Sequence, residues 1–181
     1  MRTLSSQVRP PLSSIAHVDL LRTESPKNIK KAWLRFHQKQ DSIASVLEAA
    51  SFARLCERTR EAPLFVFPIP TSDKSGFRSM FFQAGERIHL YTELDAYKRQ
   101  GSAARPALSC AFFDELEADK GLVLMRGQVD TAVLRPTDAA FLANQTTIWY
   151  FDDARFELVK QFNHRPAEFS FDRVVEKMQS L

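Results

Sequence analysis

The stretch "GLVLMRGQVD", residues 121–130, decides how this chain is read. Apolar residues fill both faces of its first half, as in a strand packed between two layers, and three polar residues then close it. Alternation places Val123, Met125, Gly127 and Val129 on one face and Leu122, Leu124, Arg126 and Gln128 on the other. The second face is therefore expected to pass from core to partner surface at Arg126, because arginine is favoured at interfaces and holds carboxylates with two parallel bonds. An internal salt bridge to Asp130 or Asp114 is the alternative, and both stay open at this point.

Working outward, "ALSCAFF" reads as the preceding strand, joined through the helical turn "DELEADKG" that ends in Gly121. "FRSMFFQ" and "RIHLYTE" are two further strands with a hairpin-length turn at Ala84-Gly85-Glu86. "PLFVFPIP" alternates as a strand that must end or become an edge at Pro68, since proline cannot donate to a central ladder. Thr92 is the expected cap of a short helix, "ELDAYKRQ", closed by Gly101. On the N-terminal side, Ser25 and Pro26 open a helix in which Ile29, Trp33 and Phe36 share a face. Asp41 is the expected cap of a second helix, with Ile43, Val46, Leu47, Ala50 and Ala53 repeating as far as about Arg60. On the C-terminal side, Thr137 would cap the helix "DAAFLANQTTIWY", "RFELVKQF" reads as a strand, and Asp172 would cap the helix "RVVEKMQ". The predicted class is α+β: N-terminal helices followed by a largely antiparallel sheet flanked by helices. Residues 1–24 are expected to be a tail, read either as the end of an import signal or as an ordinary disordered terminus, and 25–181 a single domain.

Composition narrows the function. With 181 residues, 44% apolar, 15 Phe and five Gly, the chain has the makings of one globular core. No run of about 18 apolar residues exists, so no membrane-spanning segment is expected. Net charge is +3, divided as +6 over residues 1–60 (11 Lys/Arg against 5 Asp/Glu) and −3 over the rest. None of the glycines forms a phosphate-binding loop. His17, His37, His89 and His164 are scattered, and neither Cys56 nor Cys110 has a partner at zinc-ligand spacing, so neither metal nor cofactor is expected. The acids Asp114, Glu115, Glu117 and Asp119 read as a solvated turn, and Asp152-Asp153 as a polar turn or capping pair. Cys110 sits mid-strand in an apolar run, where a thiol is inert. Lys27, Lys30, Lys31, Arg35 and Lys39 would suit phosphates, but their helix carries aromatics at core spacing and no nucleic-acid module.

Taken in order, Trp33 with Phe36-His37, "PLFVFPIP", "FRSMFFQ", "YTELDAY", "ARPALSCAFFDELEADKGLVLMRGQVD", "FLANQTTIWY" and "FELVKQFNHRPAEFSF" resemble the mitochondrial ATP synthase assembly factor 1 family over roughly residues 25–175. Gln128 departs from it, standing where a glutamate is expected after Arg126-Gly127. The resemblance implies a non-enzymatic chaperone of the mitochondrial matrix that holds the unassembled beta subunit of the F1-ATPase on the surface later covered by the alpha subunit. Met80, Phe82, Trp149 and Tyr150 join Arg126 and Gln128 as candidate partner contacts, because aromatics and methionine are favoured in interfaces. A small enzyme with an unrecognised active site and a nucleic-acid-binding domain are the rival classes.

Overall fold

A computed structural model describes residues 9–38, 40–71 and 76–179. Arg2 and the rest of residues 1–8, and Lys39, lie outside the described residues. Six strands form one antiparallel sheet: β1 (Ser42–Glu48), β2 (Leu64–Pro70), β3 (Phe77–Ala84), β4 (Ile88–Glu93), β5 (Leu108–Phe113) and β6 (Leu122–Val129), in the spatial order β1-β6-β5-β4-β3-β2. The quoted stretch is thus an interior strand, paired with β5 on one side and β1 on the other. Helices α1 (Val18–Thr23) and α2 (Pro26–His37) precede the sheet. The class is α+β with helices flanking an antiparallel sheet, as the sequence implied.

Both faces of β6 are covered, by different layers. Val123 and Met125 belong to the larger core, shared with α3 (Ala49–Glu61), α6 (Pro136–Phe151), α7 (Asp153–His164) and α8 (Phe171–Gln179). Leu122 and Leu124 belong to a second core, formed with Ile29 and Trp33 of α2, Phe113 of β5, and Leu12. The short helix α4 (Leu94–Gln100) lies farther along this second face, where Tyr97 packs against Phe81 at 4.4 Å between ring centroids.

Three expectations are corrected. Residues 42–48 form strand β1, not the start of a helix; the helical pattern holds only from Ala49 onward. The strand is locked by register, Ile43 lying opposite Gly127, and a Cβ on Gly127 would stand 2.5 Å from Ile43 Cγ1. An isolated glycine inside a strand often marks such a close approach. Residues 155–162 are helix α7, not a strand: Asp152 accepts a bond from the Arg155 amide at 2.8 Å and so starts it, as a capping residue does. Residues 9–24 are not a loose tail, since Leu12 is fully buried and Arg9 bonds Asp114 and Glu115 at 2.9 and 3.0 Å.

Several termini behave as expected and others shift. Ser25 Oγ accepts from the Asn28 amide, with Pro26 in the first turn. Gly121, at φ +66°, closes the short helix α5 (Glu117–Lys120) in the left-handed region that costs other residues more. Pro68 does lie on an edge strand. Thr92, Thr137 and Asp172 do not cap: Thr92 remains in β4, while α6 begins at Pro136 and α8 at Phe171.

Candidate interaction site

The site is assembled where α2 ends over β1 and β6. Because Ile29, Trp33 and His37 recur at four-residue spacing, they form the buried stripe of α2, and Phe36 is left half exposed (50%). Trp33 Nε1 donates to the carbonyl of Met125 at 3.0 Å, which sets the helix across β6. His37 therefore comes down beside the strand, buried to 2% exposure, with Nδ1 3.0 Å from Ser42 Oγ of β1 and its ring 4.4 Å from that of Trp33.

Arg126 is the charge next to it. Its cross-strand neighbours are Ala44 and Ala111, so nothing bulky stands on either side of its stem. Burial, and after it the Arg126 guanidinium, push the His37 pKa down to about 4, so the imidazole is neutral near pH 7. Neither carboxylate that could have served as an internal partner pairs with it. Asp114 is held by Arg9 and Arg87, and Asp130 accepts from the Ala132 amide at 3.2 Å. Among the described residues Arg126 has no salt bridge, so the internal-pair alternative is overturned. Among the described residues two buried nitrogens of this site, Arg126 Nε and His37 Nε2, have no hydrogen-bond partner, as is also true of Arg155 Nε and Gln161 Oε1 in α7. An orphaned buried polar atom costs about 1–3 kcal/mol, so a cation set among them is suited to an acceptor from outside, above all a carboxylate. Gln128, next on the same face, is exposed.

The other sequence candidates lie elsewhere. Met80, Phe82, Trp149 and Tyr150 are fully buried in the larger core. Trp149 packs on Phe65 and Phe67 at 5.1 and 6.3 Å, and Tyr150 donates its hydroxyl to the Ala62 carbonyl at 2.7 Å. Lys27, Lys30, Lys31 and Arg35 are exposed on α2. His37 and the exposed Phe36 were missed as site residues because the 29/33/36 spacing assigned Phe36 to the core; the 29/33/37 spacing fits a helix face equally well, and the contact of His37 with Ser42 of β1 goes with it as the inward residue.

One further constellation does form. His89 and Cys110 are cross-strand partners on β4 and β5, lining a cavity of about 180 Å³ beneath β1. Burial pushes the thiol up to about 12 and the imidazole down to about 3, and the His89 ring is wedged edge-on between Phe82 and Phe112. That is the opposite of a thiolate beside an imidazolium, so the pair is a core contact rather than a nucleophile with its base. Among the described residues no group of three or more His, Cys, Asp or Glu is placed to hold a metal ion, and no helix is long and apolar enough to cross a membrane. The acids at 114 and 115 are counter-ions for Arg9 and Arg87 rather than a solvated turn.

Comparison with known proteins bears on what uses this site. The family model described as "ATP11 protein" matches residues 2–175. The chain belongs to the ATP11 family. Among ATP11-like relatives, the mouse protein named "ATP synthase mitochondrial F1 complex assembly factor 1" is 29% identical over 171 residues, covering 93% of this chain and 52% of its own. The human protein of that name is 29% identical over 171 residues, covering 93% and 51%. "Protein atp11, mitochondrial" of Schizosaccharomyces pombe is 27% identical over 182 residues, covering 94% and 63%. The chain thus spans about half the length of the mammalian relatives it matches.

Proposed function

We propose that this chain is an assembly chaperone for ATP synthase. It binds the free beta subunit of the mitochondrial F1-ATPase in the matrix and covers the beta surface that the alpha subunit later takes over. The supporting observation is the match, over more than nine-tenths of the chain, to proteins named for assembly of the mitochondrial F1 complex. The geometry adds a reason for a protein partner: a cation with no counter-charge among the described residues and an exposed aromatic, Phe36, stand at the same end of α2 and β6. Contact falls to Arg126 and Gln128, with Met80, Phe82, Trp149 and Tyr150 supporting the sheet from beneath. An unassembled subunit exposes an apolar interface that drives aggregation until something covers it, and covering it requires binding but no covalent chemistry.

The test is to dilute denatured F1 beta subunit into buffer with and without this protein and to follow light scattering. Suppression near equimolar ratio, without nucleotide, is expected. Scattering that rises equally in both samples would refute the proposal.

A further inference from the structure

We propose that the outer edge of β1 is a strand-addition site, at which an extended segment of the client protein pairs with the sheet and inserts an apolar side chain into the cavity beneath. This rests on the chaperone proposal above and specifies where and how the client is held.

The two ends of the sheet are finished differently. On β2, the Ala84 amide donates to the Pro63 carbonyl at 2.8 Å; with the β2–β3 register, this makes Phe65, Phe67 and Ile69 the residues bonded to β3. Leu64, Val66, Pro68 and Pro70 therefore point outward. Pro68 and Pro70 have no N–H to offer, and Asn163 of α7 occupies both backbone groups of Leu64, its Oδ1 3.1 Å from the amide and its Nδ2 2.7 Å from the carbonyl. Three of the four outward positions are closed, by the devices that keep a sheet edge from recruiting another chain.

On β1 no such device is present among the described residues. The Ala49 amide donates to the Gly121 carbonyl at 2.8 Å, so in this register Ile43, Ser45 and Leu47 bond to β6 while Ala44 and Val46 turn their amides and carbonyls outward. Among the described residues these outward groups have no partner, and the strand carries neither proline nor lysine. Alternating donors and acceptors along a strand are matched in spacing and direction by another extended polypeptide, and under the chaperone proposal that polypeptide is a client segment in β conformation.

The cavity lies under this same edge. It is walled by Ile43 and Leu47 of β1 and by Leu55 of α3, reaches Cys110 and Phe112, and its rim is formed with the exposed Asn144 and Thr147 of α6. Successive side chains of an added strand point to opposite faces, so those on this face would stand over the opening. A cavity of about 180 Å³ with mostly apolar walls takes one leucine- or phenylalanine-sized group. Backbone pairing supplies affinity with little regard to client sequence, and the cavity selects one apolar position.

Hydrogen exchange of residues 42–48, in the free protein and in its complex with F1 beta subunit, is the decisive measurement. The Ala44 and Val46 amides should exchange freely alone and become protected in the complex. Val46→Pro, which deletes an outward N–H and no bond to β6, should weaken beta-subunit binding about tenfold while lowering the melting temperature only by what its packing on the second core contributes, whereas Ser45→Pro should unfold the edge. Unchanged exchange in a complex that demonstrably forms, or Val46→Pro binding within about twofold of wild type, overturns the strand-addition site and leaves the chaperone proposal standing. No complex with the wild-type chain would remove both. Protection of residues 42–48 without beta subunit, together with a dimer mass in solution, would show that a second copy fills the edge and would also overturn it.

Discussion

Replacing Arg126 by methionine should make the free protein more stable and the chaperone worse. The arginine is half buried among Ala44, Ala111 and His37, with no counter-ion among the described residues and with Nε buried and unbonded. A buried donor without a partner costs about 1–3 kcal/mol; because the side chain is partly open to solvent, the lower end applies, about 1 kcal/mol. Methionine keeps the length of the stem and fills irregular space without needing a partner. The expected gain of about 1 kcal/mol is a rise in melting temperature of about 2–4 °C for a chain of this size. A charge-assisted bond to a client carboxylate is worth about 1.5–3 kcal/mol, so affinity for the beta subunit should fall by roughly 10- to 150-fold. Urea unfolding with unchanged slope and titration calorimetry against purified beta subunit read the two quantities separately. Arg126→Met that loses stability would show that the guanidinium is bonded inside the fold, against the geometry described; a stabilised variant with intact affinity would remove Arg126 from the contact.

Three other outcomes follow from packing and protonation. Gly127→Ala sets a Cβ 2.5 Å from Ile43 Cγ1 and 3.0 Å from Leu108 Cδ1, and should cost about 1–3 kcal/mol in urea unfolding; an unmoved midpoint would mean that β1 yields freely. Asn163→Ala strips the Leu64 amide and carbonyl of their partners and should cost about 1–3 kcal/mol while promoting self-association through the uncovered β2 edge, seen by light scattering of the purified variant. His89 is held neutral down to about pH 3, whereas in the unfolded chain it protonates near 6.5; the unfolded state thus binds the extra proton and stability falls as pH drops between those values, by about 2 kcal/mol at pH 5. His37, lowered to about 4, acts in the same direction. His89→Phe should flatten this acid limb, and an equally steep limb would place the effect in other groups.

Strands β2 to β6 were legible because each shows alternation or a short apolar run bounded by turn residues, and their neighbours in sequence are mostly their neighbours in space. β1 was not, because residues 43–53 fit a helical period throughout and the partner that makes 42–48 a strand is β6, some 80 residues away. Helix α7 could have been identified: a seven-residue apolar window fits either period, but Asp152, already a capping candidate, decides between them. Within the site, Arg126 stood out as the polar residue that ends an apolar run. His37 did not, since 29/33/36 and 29/33/37 both fit a helix face and its polar neighbours, Ser42 and Arg126, arrive from two strands. Met80, Phe82, Trp149 and Tyr150 were chosen by residue type, and large aromatics that favour interfaces fill cores equally well.

The two proposed contacts are close enough to act together. Ala44 lies opposite Arg126 in the β1–β6 register and turns its backbone outward, so a client strand paired with β1 would run two strand spacings, about 10 Å, from β6. An arginine and a glutamate extended toward one another span that distance, and Ala44 between them is too small to stand in the way. The open edge would then fix the client's backbone while Arg126 chooses, among registers two residues apart, the one that presents an acid on the α2 side. Arg126→Met and Val46→Pro should therefore couple: the double variant is expected to lose less affinity than the sum of the single losses, by more than about 0.5 kcal/mol, because either change alone already releases part of what the other holds. Strict additivity in that cycle would place the client's acid and its paired strand on separate parts of the surface.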